Sequence, residues 1–155
     1  MDSVFERLML DPGWVAQAKL NGRRAIWDGD GVLWSRQHNK INSIAPSVVE
    51  ALEGCTQVLD GEFIRTKGAS DGVFWIFDLP DHPGTLTERW EALCELMSIY
   101  TGTGLRLCPS EVTWVDVEEN SWEGIVLKKR NSGYVKPPRD GKLLACWIKY
   151  RAEWL

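Results

Sequence analysis

Between Trp14 and Arg36 three strand-like runs, WVAQAKL, RRAIW and GVLWSR, follow one another closely. The tetrad Asp28-Gly29-Asp30-Gly31 between the last two is a tight-turn signal, because Gly and Asp tolerate the left-handed backbone that short hairpins require. Four more runs read as strands: QVLDGEFI, VFWIFDLP, EGIVLKK and LACWIKY. Helical spacing is interspersed with them. Residues 2–10 read as a short helix, with Asp2 as its cap, Val4, Phe5, Leu8 and Met9 on one face, and Pro12-Gly13 ending it. Residues 46–53 read as a second, with Pro46 in its first turn and Gly54 just past its end. The strongest is 86–100: Thr85 and Glu88 form a capping-box pattern, Leu86, Trp90, Leu93, Met97 and Tyr100 recur at helical spacing, and Gly102 stops it. This order predicts one α+β domain with mostly antiparallel sheets flanked by helices. A regular βαβ array is not indicated, and no G-x-G-x-x-G or Walker sequence is present.

Charge narrows the partner. The whole chain carries a net charge of −4, which discourages a nucleic-acid ligand. The distribution reverses that inference. Residues 81–123 hold nine acids and two bases, a net of −7, whereas residues 124–151 hold eight bases and one acid, a net of +7. A phosphate-rich partner responds to the local field, not to the total. A second basic cluster surrounds Lys19, Arg23, Arg24 and Arg36. No apolar run approaches the roughly 18–20 residues of a membrane span, and the N-terminus lacks a signal-peptide pattern. The four cysteines (Cys55, Cys94, Cys108 and Cys146) are scattered without a C-x-x-C, which suits a reducing interior rather than a disulfide framework.

Several residues stand where chemistry is practicable. Lys19 ends a strand-like run and is followed by Asn21-Gly22, Arg23 and Arg24. Neighbouring cations favour its neutral, nucleophilic form. Glu62 in LDGEF and Glu123 in WEGIVLK each sit at a turn beside an apolar strand. If they converge, they suit a magnesium ion. Phe77 and Asp78 end an aromatic strand. Lys149 and Arg151 alternate on the last strand and so share a face. Of the nine tryptophans, Trp27, Trp34, Trp75, Trp90 and Trp147 are assigned mainly to packing; Trp122, beside Glu123, is the one that could border a site, with packing still favoured. Each residue taken singly is more often ordinary surface or core.

Taken in order, the segments K-L-N-G-R-R, S-R (Ser35-Arg36), L-D-G-E-F, F-D-L, E-G-I-V-L-K and W-I-K-Y-R form the motif series of covalent nucleotidyltransferases. From about Trp14 to Arg151 the chain resembles the adenylation domain of ATP-dependent DNA ligases, most of all the ligase modules of bacterial end-joining systems. That resemblance implies the nucleotidyltransferase fold shared by DNA ligases and mRNA capping enzymes, with an ATP-grasp-like arrangement. It implies that Lys19 attacks the α-phosphate of ATP to form lysyl-AMP. It places Gln17 at the adenine edge, Arg24 and Glu62 at the ribose, Phe77 against the adenine ring, and Lys128, Lys149 and Arg151 at the phosphates. Glu62 and Glu123 would hold Mg2+. Arg36, with Lys128 and Lys149, would meet DNA at the 5′-phosphate of a nick.

Two motif positions depart from the family pattern: Asn21 replaces an Asp, and Arg151 replaces a Lys. The amide keeps hydrogen-bonding shape without charge, and Arg keeps charge with a different geometry. Residues 1–155 are expected to be a single adenylation domain without the OB-fold domain that usually follows. A separate OB-fold or DNA-end-binding protein would then complete the grip on DNA. The implied activity is sealing of nicked double-stranded DNA in repair, replication or recombination, by a monomer in the cytoplasm of a bacterium or phage-infected cell. The same motif skeleton also serves RNA ligases and capping-type guanylyltransferases, and a non-catalytic nick- or nucleotide-binding module is the third reading.

Overall fold

The computed structural model describes residues 3–65, 71–100, 104–136 and 145–152. Its elements in chain order are α1 (Ser3–Leu10), β1 (Trp14–Lys19), β2 (Arg23–Trp27), β3 (Leu33–Ser35), α2 (Pro46–Leu52), β4 (Leu59–Arg65), β5 (Gly72–Asp78), α3 (Leu86–Met97), β6 (Leu105–Leu107), α4 (Trp114–Asn120), β7 (Gly124–Lys129) and β8 (Trp147–Arg151). The strands sort into two sheets. One is antiparallel, in the order β1-β7-β8; the other has the order β3-β2-β4-β5-β6 and is antiparallel except for the β5–β6 pair. The result is the expected α+β architecture, with one mixed sheet.

The Asn21-Gly22 step does not fold β1 back on β2. It carries the chain from the first sheet into the second, since β1 pairs with β7 and β2 pairs with β3 and β4. The Asp28–Gly31 turn does close a hairpin, with the Asp28 N–H donating to the Val32 carbonyl at 3.0 Å. Gly29 sits at φ 76°, and a Cβ there would lie 2.4 Å from the Thr56 carbonyl oxygen, so both conformation and space require glycine.

Three apolar clusters hold the elements. Beneath the larger sheet, Trp27, Leu33, Leu59, Phe74 and Ile76 pack with Val48 and Leu52 of α2 and Leu93 of α3. Phe5, Ala16, Val117, Ile125 and Leu127 join α1 and α4 to the smaller sheet. Ala18, Leu20 and Cys108 pack with Ile64, Trp75, Phe77 and Trp122 between them. Alternation decides the faces. Along β5, Gly72, Phe74, Ile76 and Asp78 are buried, while Val73, Trp75 and Phe77 are half-buried on the opposite face.

Sequence patterns and structure differ at several ends. The 86–100 helix closes at Met97, with its Thr85/Glu88 capping box in place. The Ser98 hydroxyl turns back onto the Glu95 carbonyl at 2.6 Å; Gly102 lies outside the described residues, as does Asp2. Val4 is 43% exposed whereas Phe5 is fully buried, so the apolar face of α1 is narrower than its spacing indicates. The last strand begins at Trp147, after a turn at Ala145-Cys146. Both β6 and α4 escape the sequence patterns.

Candidate active site

Register brings the two ends of the chain together. β1 runs against β7 with Lys19 opposite Gly124, and β7 runs against β8 with Gly124 opposite Arg151. A Cβ at Gly124 would lie 1.9 Å from the Tyr150 carbonyl oxygen. Glycine therefore lets β8 approach closely at this point. Glu123, just before β7, donates its N–H to the Lys19 carbonyl at 2.9 Å. Its carboxylate bridges two cations: Lys19 Nζ at 2.8 Å and Arg151 Nη2 at 2.7 Å. Burial works to raise the Glu123 carboxyl, and the hydrogen bonds and charges of Lys19 and Arg151 more than offset it, holding it below its ordinary range.

The larger sheet supplies the facing wall. Arg24 lies opposite Glu62 in the β2–β4 register. Because neighbours on a strand face opposite ways, Arg24 enters the cleft while Arg23 lines a separate groove with Asn21, Ser43 and Arg65. Arg23 and Arg24 therefore do not both ring Lys19, as their sequence proximity suggests: of the two only Arg24 faces the cleft, and Lys19 is paired with a carboxylate. Glu62 accepts a hydrogen bond from the Gly22 N–H at 3.1 Å. Burial pushes the Glu62 carboxyl above its ordinary range; Gly22, Arg24 and Lys19 oppose the push and Glu123 adds to it.

Two buried aspartates stand opposite each other on β4 and β5, Asp60 and Asp78, and each is neutralised by its own arginine. Arg24 reaches Asp60 through Nε at 2.7 Å and Nη2 at 2.5 Å. Arg89 of α3 reaches Asp78 through Nε at 2.7 Å and Nη2 at 3.3 Å. Lys128 is only 2% exposed. Its ammonium lies 4.0 Å from the Phe77 ring centroid and 4.1 Å from that of Trp147. Arg24 lies near the same two rings, at 4.9 and 5.1 Å. Desolvation pulls the Lys128 ammonium down to about 8, against the charges of Asp78, Cys108 and Asp60 and with that of Arg24.

Gln17, Lys19, Arg24, Arg36, Glu62, Phe77, Lys128 and Lys149 line one open cleft between the sheets, with Ala18, Leu20, Cys108, Val126 and Trp147. Burial lowers the Lys149 ammonium, and the charges of Arg36, Arg24 and Lys19 lower it further. Several cations therefore converge on this cleft. Of the residues expected at the site, Glu123 and Arg151 are not in its wall and join it through the Lys19 ion pair. Trp147, assigned to packing from sequence, lines the cleft. Cys108 lines the cleft, and Asp60 and Tyr134 join it through Arg24, by contacts that no local sequence pattern announces. Trp122 packs between cores, as its favoured assignment has it.

Two features bear on ligands. The Gln17 side-chain oxygen is buried without a hydrogen-bond partner, so the cleft floor offers an unmet acceptor to a donor such as an exocyclic amine. Among the described residues no group of three or more His, Cys, Asp or Glu closes around a metal position. Glu62 and Glu123 are the carboxylates that would hold a magnesium ion, with both Glu123 oxygens now engaged by Lys19 and Arg151. Two carboxylates with substrate phosphate oxygens are its usual donors.

The chain matches a Lig E DNA ligase studied for DNA binding with a minimal scaffold, with a TM-score of 0.70 and 20% identity, over 90% of this chain and 62% of that one. It matches a mycobacterial DNA ligase D complexed with ATP and MES, with a TM-score of 0.72 and 20% identity, over 89% and 54%. It matches the ligase domain of M. tuberculosis LigD, with a TM-score of 0.72 and 21% identity, over 89% and 53%. The fold is that of a DNA ligase nucleotidyltransferase domain. No family model and no curated protein matches the chain. The chain spans 62%, 54% and 53% of the length of these three structures, and its cleft is built at the junction of its two sheets.

Proposed function

We propose that this domain is the catalytic core of an ATP-dependent DNA ligase. One observation carries the reading: Lys19, paired to Glu123 and facing Glu62, stands in a cleft that gathers Arg24, Arg36, Lys128 and Lys149. In the proposed first step Lys19 gives up a proton to solvent, its neutral amine attacks the α-phosphorus of ATP, a P–N bond forms, and the P–O bond to pyrophosphate breaks. Glu123 orients the amine. The cations neutralise charge on the phosphates, the main demand of phosphoryl-type transfer. A magnesium ion held by Glu62 and Glu123 would supply further neutralisation there. The buried Gln17 oxygen accepts from the adenine amino group, and Arg24 addresses the ribose. AMP then passes to the 5′-phosphate of a nick near Arg36, and the 3′-hydroxyl displaces it.

The enclosed part of the cleft holds about 80 Å³, less than the roughly 300 Å³ at the low end of small-molecule sites. Lys128 is among its lining residues, with its ammonium over the Phe77 ring. In this reading, entry of the base against Phe77 moves the Lys128 ammonium off the ring and onto the phosphates, exchanging a cation–π contact for a charge-assisted hydrogen bond.

The substrate read here is nicked double-stranded DNA, held by the +7 segment of residues 124–151, inside a bacterial or phage-infected cell. No helix among the described residues is long and apolar enough to cross a membrane. The protein acts as a monomer, and an OB-fold or DNA-end-binding protein completes the grip on the duplex. Matched DNA and RNA nicks, offered with ATP or GTP, test the assignment. Sealing of the DNA nick with ATP supports it. Preference for an RNA nick makes it an RNA ligase, transfer from GTP makes it a capping-type enzyme, and nick binding without covalent nucleotide under any condition makes it a binding module.

A further inference from the structure

We infer that Tyr134 is a positioning residue that fixes the Arg24 guanidinium through Asp60. The inference rests on the nucleotide-binding reading of Arg24. Asp60 is fully buried and accepts three hydrogen bonds: two from Arg24, at 2.7 and 2.5 Å, and one from the Tyr134 hydroxyl at 2.8 Å. The phenol and Arg24 Nη2 meet the same oxygen, Oδ2, so the phenol is a second restraint, besides the Arg24 fork, on how Asp60 is rotated. Asp60 in turn holds the Arg24 guanidinium by two hydrogen bonds. The rings of Phe77 and Trp147 bound the guanidinium at 4.9 and 5.1 Å, and Arg24 itself lines the cleft.

The segment that carries Tyr134 is fastened independently. Arg89 donates to the Ser132 carbonyl at 2.8 Å and to the Gly84 carbonyl at 3.0 Å. The Arg130 N–H donates to the Gly13 carbonyl at 2.9 Å, and the Ser132 hydroxyl donates to the Lys129 carbonyl at 2.6 Å. The Tyr134 hydroxyl is therefore not needed to hold its own loop. Burial and the Asp60 charge keep the phenol protonated well above its ordinary range, so it remains a donor across the working pH range.

Tyr134→Phe removes only the hydroxyl. In the free protein, exchange of the Arg24 Nε proton, followed by 15N NMR, is expected to quicken about tenfold. With ATP, KM for lysyl-AMP formation is expected to rise about threefold to tenfold, with kcat within about twofold. In an Arg24→Lys background the same change is expected to add nothing, because the residue it positions is gone. Unchanged Arg24 exchange in Tyr134→Phe overturns the inference, as does an equal rise in KM in the Arg24→Lys background. Absence of lysyl-AMP in the wild type would count against the ligase reading alone, and the exchange measurement would still judge Tyr134.

Discussion

The ammonium of Lys19 and the carboxylate of Glu123 meet at 2.8 Å, although one residue ends the first strand and the other precedes the seventh. The β1–β7 register makes the pair. Glu123→Gln keeps the shape and removes the charge that orients the amine. Lysyl-AMP formation should fall about 100-fold, the size of effect seen when a preorganised electrostatic contact is lost. Single-turnover labelling with saturating ATP measures it.

The buried pair Arg89–Asp78 serves the fold. Removing one member of such a pair leaves an uncompensated buried charge. Arg89→Met should therefore destabilise the protein by about 3 kcal/mol, read from denaturant unfolding. Replacing both members with apolar residues should cost much less than the single change.

What could be read from sequence follows what is encoded locally. The α3 capping box and the Asp28–Gly31 turn each lie within a few residues, and both appear as expected. The α4 cap, Thr113 with Asp116, uses Asp in place of Glu and opens a helix of only seven residues, too short to show a helical period. β6 is three residues long and owes its strand character to β5 beside it. At the site, the motif residues Gln17, Lys19, Arg24, Glu62 and Phe77 were legible as a series. The Tyr134–Asp60 contact was not, because the two residues lie 74 positions apart in the chain. Trp147 was read as packing since its ring does pack, against Phe77 at 5.6 Å, and only the fold shows that the cleft opens there.

Lys128 gives a pH signature. Its ammonium is lowered from 10.5 to about 8 by burial. Between those values the unfolded chain binds a proton that the folded one has released, so this residue adds stability as pH rises. The shift corresponds to roughly 3 kcal/mol. Below about pH 8 the buried charge costs stability, and Lys128→Met should be the more stable protein there. That advantage should shrink steadily from pH 8 to 10.5. Paired urea titrations of the two proteins check it.

Asn21 is exposed and lines the groove of Arg23 and Arg65, not the Lys19 cleft. Asn21→Asp should change the rate of lysyl-AMP formation by no more than about twofold, the scale of a surface substitution. A gain of ten times or more would show that the side chain acts on the cleft.

The most direct test is covalent labelling. The protein is incubated with α-labelled ATP and magnesium, denatured, and compared with Lys19→Ala. Label should remain on the wild-type chain as a single AMP, map to the peptide containing Lys19, and be absent from Lys19→Ala. A wild-type chain that binds ATP without retaining label, or a Lys19→Ala chain that retains it, would contradict Lys19 as the nucleophile.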